Sequence, residues 1–224
     1  MESSIEEDGM MKDLVLDAIE QIEHLYETRG SIAGLATGFP ELDRLTSGLQ
    51  APDLIVFGSR PSMGKTALSM NIVEHIAMDL GKAVGVFSLG MSSRQLTQRL
   101  LCSRAKVNLQ RVRNGFLSER DFPMLVTTAS NLATSKIMID DTAELMIGEL
   151  RERARKLRDR RSVQLIVIDY LNLVRPDRPR QNRHEEMLDS CLQNYRHNWL
   201  KICKQEDHAA SRRLTMSWIA LSAL

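Results

Sequence analysis

Three observations predict an α/β fold with a mainly parallel sheet flanked by helices. Short runs of β-branched and aromatic residues alternate with longer segments whose apolar residues recur at helical spacing. A Gly/Ser/Pro loop joins the first strand-like run to a helix-like segment, and a later apolar run ends on an aspartate. Strands that alternate with helices pair in parallel, and the loops at their carboxyl ends gather the functional groups. A chain of 224 residues is long enough for one such domain with a proper core.

Composition narrows the class without naming a partner. The chain is 43% hydrophobic and 26% charged, with a formal net charge of +1, as expected of an ordinary globular protein. Only local clusters of charge can therefore argue for nucleic acid. Cys102, Cys191 and Cys203 form no C-x-x-C pair and no even set, which favours a reducing, cytoplasmic interior. The acidic start, Met1 to Asp8, lacks the apolar stretch of a signal peptide, and no run of about 18 apolar residues could span a membrane.

Each element has its own signal. Residues 1–12 carry no pattern and are expected to be disordered. In residues 13–27, Leu14, Val15, Ala18, Ile19, Ile22 and Leu25 share one helical face, and Asp17, Glu20, Glu23 and Glu27 lie largely opposite. Arg29-Gly30 ends this helix, and Gly30, Gly34 and Gly38 mark a linker behind it. Its apolar face either packs on the chain's own core, the commoner outcome, or docks on a neighbouring subunit. Residues 53–57 form the first strand, and from Ala67 to Met78 the spacing of Leu68, Ile72, His75 and Ile76 predicts a helix. Residues 83–89 read as a buried strand and residues 92–107 as a helix capped by Ser92 or Ser93. A further helix is predicted over 119–133, a short strand over 136–139 running into Asp140-Asp141, and a charged helix over roughly 143–160. Residues 164–168 form the last clear strand, which delivers Asp169 at its end.

The loop carries the chemistry. Ser59-Arg60-Pro61-Ser62-Met63-Gly64-Lys65-Thr66 fits G-x-x-x-x-G-K-[ST] with serine in place of the first glycine; Gly58 lies one residue too early for the strict spacing. Backbone N–H groups of such a loop point at phosphate oxygens, Lys65 would reach the β and γ phosphates, and Thr66 would ligate Mg²⁺. A turn ending in Gly-Lys-Thr by chance is the bland alternative, and the flanking strand and helix weigh against it. Asp169 supplies the second half of the site, a carboxylate for the Mg²⁺ held by Thr66. Alone, an aspartate after an apolar strand is as easily a turn residue.

Several blocks together resemble the C-terminal motor domain of DnaB-type replicative DNA helicases, a RecA-like P-loop ATPase. They are Thr37-Gly38-Phe39-Pro40-Glu41-Leu42-Asp43, Gly48-Leu49-Gln50, Arg60 to Thr66, Phe87-Ser88-Leu89-Gly90-Met91, Ile139-Asp140-Asp141 and Ile168-Asp169-Tyr170-Leu171-Asn172-Leu173. The resemblance implies ATP and Mg²⁺ as cofactors, single-stranded DNA as partner, and a homo-oligomeric, hexameric ring. It also implies that the helix within 13–29 is a linker docked on a neighbouring subunit, followed by an ATPase core over 30–183.

Three departures qualify those implications. Where the family carries a glutamate that polarises the attacking water, this chain has Gly90; losing a general base costs about 10² to 10⁴ in rate. The family's helical N-terminal domain has no counterpart before residue 13. Similarity fades after Arg183, and the family's γ-phosphate-sensing Ser-Gln strand is echoed only by Trp218 to Ala223, with Ala223 at the glutamine position. The segment supplying an arginine finger, worth about 10³ to 10⁵ in NTPases, does not follow. A truncated or decayed copy is expected, with residues 184–224 divergent and arising from a shifted reading frame.

Three further clusters carry less. His184, Cys191, His197, Cys203 and His208 match no tetrahedral zinc spacing. Arg151, Arg153, Arg155, Lys156, Arg158, Arg160 and Arg161 spread around a helix beside Glu149 and Glu152, which reads as a solvated face. Arg175, Arg178, Arg180 and Arg183 form a basic loop after Asp169; it is a solvated loop on composition, and on the resemblance a DNA contact facing the channel. The leading expectation is an ATP-binding helicase motor domain with impaired hydrolysis. The alternative is a non-catalytic ATP-binding protein that docks on an intact ring.

Overall fold

The computed structural model describes residues 11–27, 32–51, 53–60, 62–175 and 217–223. In chain order they form α1 (Met11–Glu27), α2 (Pro40–Thr46), β1 (Leu54–Ser59), α3 (Lys65–Glu74), β2 (Ala83–Ser88), α4 (Ser93–Arg104), α5 (Leu109–Arg113), α6 (Asp121–Ala133), β3 (Ile137–Asp140), α7 (Ile147–Arg161), β4 (Val163–Asp169) and β5 (Ser217–Ala223). One sheet has the order β1-β5-β4-β2-β3. β2 pairs in parallel with both β3 and β4, and β5 runs antiparallel to β1 and β4. Four of the five strands thus point one way, which places the carboxyl ends of β1, β2 and β4 at one edge.

The alternation of side chains across the sheet builds two cores. Val84, Val86, Leu165 and Val167 face α3 and α4, where Met70, Ile72, Val73, Ile76, Leu96 and Leu100 complete a buried cluster. Their neighbours Ala83, Phe87, Ile166 and Ile168 face the other way, onto Leu150 of α7 and Leu145. β2 and β4 therefore read as nearly continuous apolar runs because both faces are covered. Burying a side chain the size of Leu or Phe contributes about 1.5 to 3 kcal/mol, so this double coverage fixes the central strands. A satellite cluster of Cys102, Ala105, Val107 and Leu125 seats α6 on α4.

Local chemistry sets the ends of the elements. Ser92 caps α4 in a reciprocal box with Gln95, one of the two capping residues the sequence offered. Asn108 caps the five-residue α5 by accepting from the amides of Gln110 and Arg111. The sequence pattern missed α2 and α5, which are too short for periodicity to register. α7 starts at Ile147 rather than near 143, because Glu144 adopts φ 61° and the chain turns before the helix. α3 widens into a π turn over His75–Asp79 before β2. Among the described residues, no helix is long and apolar enough to cross a membrane.

On α1, Val15, Leu16, Ile19 and Ile22 are 46 to 64% exposed. Leu14 and Leu25 of the same predicted face lie outside the residues whose side chains are described.

Candidate nucleotide site

β1 delivers Ser59 to the edge of the sheet, and α3 begins six residues later at Lys65. Between them the chain turns through two left-handed residues, Ser62 at φ 66° and Gly64 at φ 88°. Gly64 caps α3, and a Cβ built on it would meet nothing within 4 Å. Glycine is thus required there by backbone conformation, and the space beyond it is open to a ligand's close approach. The first turn of α3 presents its free N–H groups and the positive end of its dipole to the same space.

Lys65 is nearly buried, and its Nζ donates to the Ser59 carbonyl at 3.0 Å, to Ser59 Oγ at 3.2 Å and to the Arg60 carbonyl at 3.2 Å. The loop therefore folds around the ammonium and holds it at the centre. Ser59, at the position of the pattern's first glycine, contributes two of the three acceptors. Met63 is 71% exposed at the loop tip, and Pro61 lies outside the described residues.

Asp169 ends β4 and is 1% exposed. Its Oδ1 has no hydrogen-bond partner. Burial pushes its carboxyl above the usual carboxylate range, opposed by hydrogen bonding from the Thr66 hydroxyl and by the charges of Lys65 and Arg99. A buried carboxylate oxygen without a donor, opposite a buried threonine hydroxyl, suits a hard divalent cation with oxygen ligands. Asp169 and Thr66, from elements about a hundred residues apart in sequence, are thus brought together as the motif predicts. The donor set fits Mg²⁺: Thr66 and Asp169 would hold it, and its charge would neutralise phosphate oxygens.

Arg99 of α4 is the residue that sequence reasoning missed. It acts electrostatically on Asp169, its Nε is buried without a partner, and it shares with Thr66 a cavity of about 500 Å³ between α3, α4 and α5. Its position in the middle of a helix gave no motif to find. Only packing turns that helix towards the carboxyl end of β4.

Gly90 follows β2 at the same edge, where the Leu89 amide donates to the Asp169 carbonyl at 2.7 Å. A Cβ on Gly90 would lie 2.5 Å from Cε2 of Tyr170. A side chain at this position would therefore need the tyrosine ring to shift.

The remaining expected residues fall elsewhere. Arg175 pairs with Glu144 at 2.7 Å, both exposed, and its backbone bridges to Met146 and Leu145. Arg178, Arg180 and Arg183, and every member of the His/Cys cluster, lie outside the described residues. Ala223 is opposite Leu165, at the end of β4 far from Asp169. β5 runs antiparallel to β1 and β4, so its last residue lies at the end of the sheet away from the loop.

Comparison with known proteins gives a consistent result. The family model for the DnaB-like helicase C terminal domain matches residues 34–193. The chain is 36% identical over 215 residues to the replicative DNA helicase DnaC of Bacillus subtilis (strain 168), covering 96% of this chain and 44% of that protein. It is 39% identical over 178 residues to the replicative DNA helicase DnaB of Geobacillus stearothermophilus, covering 79% and 39% respectively. The chain thus spans less than half the length of these curated relatives. The ATPase domain of G40P superposes with a TM-score of 0.70 at 27% identity, over 80% of this chain and 63% of that one. A DnaB-like replicative helicase, solved in a study of its interactions with primase, gives 0.69 at 27% identity over 83% and 44%. The fold is accordingly that of the RecA-like ATPase domains of DnaB helicases. The loop, the buried Lys65, Thr66 and Asp169 and the strand arrangement agree with that match, and the chain belongs to the DnaB-like helicase C-terminal domain family.

Proposed function

We propose that this chain is an ATP-binding motor domain of a replicative DNA helicase whose hydrolysis step is impaired. The carrying observation is the pairing at one sheet edge of an intact Lys65–Thr66–Asp169 set with a Gly90 covered by Tyr170. Lys65 would hold the β and γ phosphates, the amides at the start of α3 would cradle them, and Thr66 and Asp169 would hold Mg²⁺. Ser59, Arg60, Ser62, Met63 and Gly64 shape the cradle, as does Pro61 by its place in the motif. Arg99 adds positive charge beside the same carboxylate.

Hydrolysis needs a base or polarising group near the attacking water, and Gly90 has no side chain to offer one. In the DnaB-like reading, single-stranded DNA and neighbouring copies in a ring are the partners, with the exposed face of α1 available for subunit docking and Arg175 a minor backbone contact. The second reading, a non-catalytic ATP-binding protein that joins an intact ring, is favoured by the same Gly90.

The test is ATP affinity and turnover with and without single-stranded DNA, for the chain itself and for Gly90→Glu alone and combined with Tyr170→Ala. Binding without turnover in the parent is expected. Gly90→Glu alone should give some gain once the Tyr170 ring turns aside, and the double variant shows how much that shift costs. Robust parental turnover would overturn the impaired-hydrolysis reading, and absence of nucleotide binding would overturn both readings.

A further inference from the structure

β3 is the last strand of the sheet, hydrogen-bonded on one side to β2 and open on the other among the described residues. α7 lies over β2 and β4 beside that edge, and a cleft of about 340 Å³ is lined by Met138 and Ile139 and by Arg153, Lys156, Arg160 and Arg161 of α7. An open strand edge offers a row of unused amide and carbonyl groups, which natural sheets usually cover or blunt. Among the described residues no strand pairs with this edge, and residues 137–140 contain no proline.

The cations of the cleft are not equivalent. Arg153 is held by Asp140 at 2.7 Å and by Glu149, and Lys156 by Glu152 at 2.6 Å. Arg160 and Arg161 are exposed and make no ion pair among the described residues. Basic residues favour the last turn of a helix because of its dipole, which explains their presence but not their placement along a strand edge.

We propose that this cleft is a docking site for an acidic peptide that adds to β3 as a further strand. Its backbone would pair with the open edge, its aliphatic side chains on the α7 face would rest beside Met138, and its carboxylates would meet Arg160 and Arg161. Charge complementarity gives the sign of the partner, and the open amide edge gives its class. A single-stranded nucleic acid would satisfy the arginines but has no peptide-spaced donors and acceptors for the strand.

The test uses fluorescence anisotropy with a labelled octapeptide of alternating valine and glutamate. Saturable binding to the parent chain is expected, with Arg160→Glu/Arg161→Glu weakening it about 10-fold, the loss of two exposed ion pairs. Methylating alternate peptide amides should weaken it to a similar degree, and amide exchange in residues 137–140 should slow when the unmodified peptide is bound. Retained circular dichroism melting and nucleotide binding would show that the variant is folded; Arg160→Gln/Arg161→Gln serves if the charge reversal does not fold. No peptide binding to the parent, equal binding of the methylated peptide, or arginine-dependent binding of an oligothymidylate in place of the peptide would each overturn the proposal.

Discussion

Lys65 and Asp169 carry opposite charges at one edge of the sheet and differ in how far the fold satisfies them. The lysine has three loop acceptors, whereas the aspartate keeps a buried oxygen with none. Replacing Lys65 by Ala should therefore loosen the loop as well as remove the proposed phosphate contact, and ATP affinity measured by calorimetry should fall at least about 10-fold. Asp169→Asn should behave differently. The folded state holds a proton on Asp169 that the unfolded chain has already released between the ordinary carboxylate value of 3.8 and the raised one. More protons on the folded side mean that stability falls as pH rises through that window, while Mg²⁺ affinity, which needs the ionised form, rises. Asp169→Asn should thus flatten the pH dependence of melting, leave the metal-free protein no less stable, and lower Mg²⁺-dependent nucleotide affinity at least about 10-fold. Melting curves between about pH 4 and pH 7 with and without Mg²⁺ would check it. Both residues were legible in the sequence because the motif fixes residue types at fixed spacing. Arg99 and the cover that Tyr170 places over Gly90 were not, since both arise from contacts between separate elements.

At the scale of elements, glycines and caps decide where helices begin and how closely they approach. Gly64 at φ 88° starts α3, so Gly64→Ala should cost about 1 to 2 kcal/mol through left-handed strain alone, read as a lower melting temperature. Gly38, at φ 83°, lies where a Cβ would come 2.6 Å from the His75 ring. Beside it, the buried Asp43 accepts from the Thr37 amide at 2.9 Å and the Thr37 hydroxyl at 2.7 Å, pinning the turn before α2. Thr37→Val keeps the shape but removes one donor to a buried carboxylate, and should destabilise by about 1 to 3 kcal/mol in denaturant titration. Ser92→Ala removes half of the α4 capping box and should cost about 1 kcal/mol by the same measurement. The Ser92 cap could be read in advance because its Gln95 partner is local. α2 was visible only as part of a block of family resemblance, because seven residues around a proline show no helical period.

For the whole molecule, β5 is the element that joins two parts of the sheet. It fills the gap between β1, which carries the phosphate loop, and β4, which carries Asp169. Deleting residues 217–223 should therefore lower the melting temperature and weaken nucleotide binding together, a coupling that calorimetry and thermal melts can follow in one series. The exposed apolar face of α1 argues for association, and sedimentation should show a concentration-dependent shift that Ile19→Glu/Ile22→Glu reduces. By itself, the sequence determined the α/β class, the order of the central strands and helices, and the identity of the phosphate loop and its aspartate. Those are local patterns or fixed spacings, written in consecutive residues. Tertiary structure alone decided the antiparallel direction of β5, the solvent-facing side of α1, the approach of Arg99 to Asp169, the ring over Gly90 and the open edge of β3. Each depends on which surfaces meet after the chain has folded, and a linear pattern does not encode the direction of approach between elements far apart in sequence.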